Sequence, residues 1–235
     1  MTTLRLLCAG AAHGVVAASV SRWSDETGLR LDARFGPVGG LKETLLADTP
    51  CDVFIATAAI VGELIAQDRL DGATATPLGR VATGLAVREG FDAPRIDTAD
   101  ALRSAFLDAD RLFLPDPQRA TAGIHFISVL RRLGVHDALA ARLSTHPSGA
   151  AAMRAMAATE ARAAIGCTQV SEILDTAGVR LVGPLPAGYD LATPYVAAVC
   201  VGAHDRAAAV DFVARVAGPA AVELRRACGF EPFVP

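Results

Sequence analysis

Residues 4–14 read Leu-Arg-Leu-Leu-Cys-Ala-Gly-Ala-Ala-His-Gly, and residues 29–42 read Leu-Arg-Leu-Asp-Ala-Arg-Phe-Gly-Pro-Val-Gly-Gly-Leu-Lys. Each stretch is a short extended run ending in a glycine-rich turn. The first turn feeds a segment, Val15–Thr27, with apolar residues at Val15, Val16, Ala18, Val20 and Trp23, the spacing of an amphipathic helix. Gly28 stands where a left-handed residue would stop that helix. The second turn feeds a helix expected over Leu41–Ala47. Asp52–Ala56 then reads as a third strand and Ala58–Gln67 as a third helix. Strands alternating with helices at this spacing predict an α/β fold with a largely parallel sheet.

The pattern continues through the chain. Leu78–Val87 is extended, Thr98–Leu107 helical and Arg111–Leu114 a strand; Pro115-Asp116-Pro117 precedes a helix from about Ala120 to Leu133. Ser148–Thr159 reads as helix, Ala161–Gly166 as strand, Val170–Thr176 as helix and Arg180–Val182 as strand. The Gly/Pro-rich stretch Gly183–Pro194 reads as a crossing or hinge. Tyr195–Val201 is a late strand, and Arg206–Val216 and Pro219–Cys228 close the chain as helices.

Composition excludes several classes. The 235 residues are 52% hydrophobic and 20% charged, which excludes intrinsic disorder. A net charge of −3 leaves no electrostatic footprint for nucleic acid. No apolar run reaches the ~18 residues that span a bilayer, so direct membrane insertion is not expected. Cys8, Cys51, Cys167, Cys200 and Cys228 have no zinc-site spacing, and no metal or cofactor is expected. Four of them lie in apolar runs, where a buried thiol is the ordinary reading. No basic leader, apolar core or cleavage site opens the chain. The expected location is therefore cytoplasmic as the sequence stands, and periplasmic if a signal peptide has been removed.

Parallel strands bring their following turns to one edge of a sheet, where open α/β folds bind ligands. Free N–H groups and the positive end of the helix dipole suit such turns to anions. Candidate ligand contacts are accordingly Ala11, Ala12 and His13 on the first turn, and Val38, Gly39, Gly40 and Lys42 on the second. Neither turn matches a nucleotide-binding fingerprint. His13 is read either as a ligand or proton-transfer group or as a surface cap. Lys42, the only lysine among 22 basic residues, is expected close to the start of its helix. A cation there opposes the dipole unless an anion shares the site; the alternative is a solvated helix face.

The run Leu6–Gly14, then Phe35–Leu46 and Cys51–Ala56, resembles the periplasmic molybdate-binding proteins, type II solute-binding proteins of ABC transporters. The likeness continues through Leu114–Pro117, Thr121–Ile124, Ala164–Gly166, Pro194–Ala197 and Cys228–Phe230. It implies two α/β lobes with ligand held in a cleft between them: lobe one from 1–83 and 192–235, lobe two from 84–191, hinged near Thr83–Leu85 and Gly188–Pro194. It also implies a small anion as ligand and, for an exported protein, an ABC-transporter permease as partner. In the family a serine on each N-terminal turn binds molybdate. Here those positions fall near Ala11 and within Pro37-Val38-Gly39, so both hydroxyls are gone. The family's lobe-two alanine corresponds to Ala122, its tyrosine lies close to Tyr195, and Arg119 and Thr121 flank the same turn. Apolar walls with a cation or two suit an organic polycarboxylate better than molybdate.

Relatives of the family include aconitate isomerase. That implies an alternative, a cytosolic isomerase that shifts a double bond in an unsaturated tricarboxylate. His13 or Lys42 would then move the proton, with turn N–H groups stabilising the enolate-like charge.

Overall fold

A computed structural model describes residues 3–232. The elements in chain order are β1 (Thr3–Ala9), α1 (His13–Thr27), β2 (Arg30–Gly36), α2 (Val38–Leu46), β3 (Val53–Thr57), α3 (Ala58–Ala66) and the long β4 (Thr76–Arg88). Then follow α4 (Ala99–Asp108), β5 (Arg111–Pro115), α5 (Thr121–Arg132), α6 (His136–Leu139), β6 (Leu143–His146) and α7 (Gly149–Ala157). The chain closes with β7 (Ala164–Gln169), α8 (Val170–Leu174), β8 (Val179–Pro184), β9 (Ala192–Val199), α9 (Arg206–Ala217) and α10 (Val222–Ala227). It divides into two compact units, one formed by residues 1–81 and 193–235 and the other by 82–192.

In the first unit β1 lies between β2 and β3, parallel to both, and β3 pairs antiparallel with β9. β3 is buried along its whole length, as a strand covered on both faces must be. Trp23 of α1 and Phe212 of α9 are fully buried and meet edge to face at 5.2 Å. The indole N–H donates to Asp211 at 2.9 Å, so the ring's polar atom is satisfied. Burying each such side chain contributes about 1.5–3 kcal/mol. Gly28 ends α1 at φ 69°, a conformation that costs other residues strain.

In the second unit β5 lies between β6 and β7, parallel to both, while β7 and β8 pair antiparallel with β4. One core cluster gathers Leu102, Phe106, Phe126 and Val129 from α4 and α5; another gathers Phe113, Met153 and Met156 around α7.

Several boundaries differ from those read in the sequence. α2 starts at Val38, not Leu41. Two glycines argue against helix on propensity, but burial of Val38, Leu41 and Leu45 along one face outweighs it. α1 starts at His13, after a single 3-10 turn at Gly10–Ala12. The strand expected over Ala161–Gly166 is β7, three residues later. β6 had no sequence signal: Leu-Ser-Thr-His is short and polar, and it is extended because β5 offers it a parallel partner. His146, at the end of β6, is half-buried and stacks on Phe113 at 5.8 Å.

One buried acid ties the first unit together. Asp52, 1% exposed, accepts from the Arg5 backbone N–H at 2.7 Å, from Arg5 Nε at 3.2 Å and from the His204 N–H at 2.8 Å. Its carbonyl accepts from Cys200 N at 2.9 Å, so it joins segments far apart in the chain. Asp52→Ala leaves these donors without their acceptor and should cost about 3–5 kcal/mol in urea unfolding. Asp52→Asn, which keeps the shape and one acceptor oxygen, should cost less.

Candidate functional site

In the first unit the carboxyl ends of β1, β2 and β3 lie along one edge. Ala9 is in register with Gly36, and Cys8 with Ile55. α1, α2 and α3 start at that edge. None has a side-chain cap and none carries an acid in its first turn. A helix leaves its first N–H groups without intrahelical partners, and its dipole puts partial positive charge there. Two other long helices are capped in the usual way: Thr98 accepts from Ala101 N on α4, and Asp205 from Ala208 N on α9.

The side chains around them are small or apolar. Ala11 and Ala12 are buried beneath the start of α1, and Val38 is buried at the start of α2. Gly39 and Gly40 continue that first turn with negative φ, so left-handed backbone does not explain them. A Cβ on Gly40 would meet Pro37 at an ordinary 3.8 Å. His13 is the first residue of α1, half-buried, with its ring edge-on to Phe35 at 4.6 Å. Tyr195 on β9 stands opposite Thr57, 2% exposed, its ring against Phe230.

Thr57 was missed by sequence reasoning. It ends β3 and opens α3, it is buried, and its hydroxyl makes no cap bond. The available signal was a threonine just before a predicted helix, where a side-chain cap is ordinary.

Lys42 requires a correction. It lies in the second turn of α2, because that helix starts at Val38, and its ammonium pairs with the Glu63 carboxylate of α3. The charge that balances it is therefore an acid of the chain, and no anion at the helix start is needed. An exposed pair of this kind contributes about 0–1 kcal/mol. Lys42→Met should lower stability by no more than that in urea unfolding.

In the second unit the same edge is formed by Pro115, His146 and Gln169 at the ends of β5, β6 and β7. After β5, Asp116 accepts from Gln118 N at 2.7 Å and Arg119 N at 3.1 Å, turning the chain into α5. α5 too starts without a side-chain cap. Thr121 is half-buried, Ala122 is buried and Arg119 is exposed. His125, one turn on, bonds through Nε2 to the Tyr189 carbonyl at 2.8 Å, and burial pushes its pKa down.

A second residue absent from the sequence reading is Glu172. Its side chain is buried against the start of α7, where Gly149 N–H, Ala150 N–H and Gln169 N–H donate to it. Thr168 Oγ1 donates at 2.5 Å. Burial pushes its carboxyl above the ordinary glutamate range, and these donors pull it partly back. An acid with a raised folded pKa supports the fold fully below the unfolded value, about 4.3, and that support is lost as pH rises through the folded value. Stability relative to Glu172→Gln should therefore fall as pH rises from about 4, in urea unfolding at a series of pH values. A difference that grows with pH would show that the donors outweigh burial.

Residues 4–231 match the family of bacterial extracellular solute-binding proteins. Aconitate isomerase of a Pseudomonas species is 24% identical over 195 residues, which span 79% of this chain and 71% of the isomerase. The molybdate-binding protein ModA of Escherichia coli K12 is 27% identical over 216 residues, 89% of this chain and 81% of that protein. The periplasmic molybdate-binding protein of Azotobacter vinelandii shares the fold, with a TM-score of 0.79 at 21% identity over 99% of both chains. The α/β architecture is thus the type II periplasmic-binding-protein fold that the resemblance implied. With nearly every described residue inside the match, the chain belongs to the bacterial extracellular solute-binding protein family.

Proposed function

We propose that this solute-binding protein takes a small organic acid carrying several carboxylates, in preference to molybdate. The observation that carries the reading is the row of three uncapped helix starts at one edge of the first unit. The N–H groups of Val38, Gly39 and Gly40 at the start of α2 supply donors for carboxylate oxygens, whereas the His13 N–H is taken by the Gly10 carbonyl. The Thr57 hydroxyl adds one, and Ala11, Val38 and the Phe35 ring face a carbon skeleton. In the second unit, considered by itself, Arg119, Thr121 and Ala122 stand at the start of α5, which also lacks a side-chain cap. Lys42 is left out, because Glu63 already holds its ammonium.

Molybdate suits this surface less well. The positions where the resembled family places serines carry Ala11 and Pro37-Val38-Gly39 here. A hydroxyl bonded to a charged group contributes about 1.5–3 kcal/mol, so losing two weakens affinity by about 10² or more. In this reading the protein serves outside the cytoplasmic membrane and hands its ligand to an ABC permease. No helix among the described residues is long and apolar enough to cross a membrane itself.

A second reading adds chemistry at the same place. One relative is an aconitate isomerase, and His13 puts a titratable ring at the start of α1. In that reading His13 moves a proton between two carbons of an unsaturated tricarboxylate, with first-turn N–H groups holding the enolate-like charge.

Calorimetry with citrate, cis- and trans-aconitate, sulfate and molybdate tests the ligand class. A polycarboxylate should bind at least about 10-fold more tightly than molybdate, a difference of roughly 1.4 kcal/mol. Micromolar molybdate binding with weaker carboxylates would overturn the reading. Val38→Pro removes one N–H at a helix position that tolerates proline and should weaken the bound acid about 10- to 150-fold. Proton NMR of cis-aconitate with the protein in deuterated buffer decides the second reading: deuterium incorporation and trans-aconitate formation, both lost in His13→Ala, support catalysis. An unchanged spectrum leaves a binding protein.

A further inference from the structure

The start of α7 is treated differently from the others. Ser148 Oγ accepts from Ala151 N at 3.2 Å, and the Ser148 carbonyl accepts from Ala152 N at 2.9 Å. The remaining first-turn donors, Gly149 and Ala150 N–H, go to the Glu172 carboxylate, so the chain itself satisfies the whole turn. Two further donors reach that carboxylate from a separate place, the end of β7: Thr168 Oγ1 and Gln169 N–H. Four donors thus converge on two oxygens that are shielded from water. The approach is close enough that a Cβ on Gly149 would land on both Glu172 Oε2 and Thr168 Oγ1. Gly149 is therefore required at that position for contact, not for backbone freedom. Convergent N–H and O–H donors on buried oxygens are the arrangement that binds a free oxyanion elsewhere. Here the anion is covalently part of the chain.

We propose that the Glu172 carboxyl group is a tethered occupant of an oxyanion-binding position at the start of α7 and thereby excludes free anions from that position. A free sulfate, molybdate or carboxylate meets no open donor there. α5, at the same edge, keeps its first turn without a side-chain cap. This goes beyond the ligand class proposed above and does not depend on it. Occupancy of the α7 position can be read without any organic ligand, so the two ideas fail separately.

The test is thermal unfolding of wild type, Glu172→Ala and Glu172→Gln with formate and with sulfate, sodium chloride serving as the ionic-strength control. Truncation to alanine opens the donors and leaves space for a small anion. Formate at about one hundred times its Kd should then raise the Tm of Glu172→Ala by roughly 5–10 °C. Wild type and Glu172→Gln, whose side chains still fill the space, should respond no more than to chloride. If Glu172→Ala is unfolded in buffer, formate or sulfate should restore its circular dichroism. A Glu172→Ala protein that gains nothing from either anion, folded or unfolded, overturns the proposal. So does an equal gain in all three proteins, which would be a general salt effect.

Discussion

The arrangement depends on the N–H groups that open an α-helix. Such a helix has no internal acceptor for its first donors, and its dipole adds partial positive charge at the same place. Parallel strands deliver several helix starts to one edge, so this fold concentrates unsatisfied donors instead of scattering them. Something must accept from them: a side chain, water or a ligand. The acceptor differs from helix to helix. α4 and α9 are capped by Thr98 and Asp205. α1, α2, α3 and α5 lack such caps at the carboxyl edges of their sheets.

The charged residues near these edges follow the same logic. Lys42 is answered by Glu63, a pair on two neighbouring helices of the first unit, so its ammonium is already spoken for. Glu172 is answered by backbone and hydroxyl donors alone. Burial raises the cost of its ionised form, and four donors offset only part of that cost. Asp52 obeys the same rule deep in the first unit, with its carboxylate divided between Arg5 and the backbone of His204. Buried acids in this protein are held by donors from distant parts of the chain, so each also fixes a tertiary connection.

Much of the fold was legible because its signals are local. Gly28 reads as a helix stop because few other residues tolerate φ near 69°. Val53-Phe54-Ile55-Ala56 reads as a buried strand because an unbroken apolar run of that length fits little else. The errors fall where local preference and tertiary burial disagree. Val38-Gly39-Gly40 has poor helix propensity yet forms the first turn of α2, because Val38, Leu41 and Leu45 share a buried face. That displaced Lys42 by a turn. Leu143–His146 carries no strand pattern, and it is a strand because β5 pairs with it.

By itself, then, the sequence determined the alternation of strands and helices, the two glycine-rich turns and the absence of serine from both. These follow from residue type and from spacing over a few positions. Only the tertiary structure decided that Thr57 joins the first edge, that Lys42 belongs to Glu63, and that Glu172 reaches back across more than twenty residues to the start of α7. Thr168 and Glu172 are four apart, but Gly149 is remote from both. A hydrogen bond between groups that far apart leaves no periodicity for a sequence to carry. It exists because parallel pairing of β5 with β6 and β7 brings the starts of the following helices to a common edge.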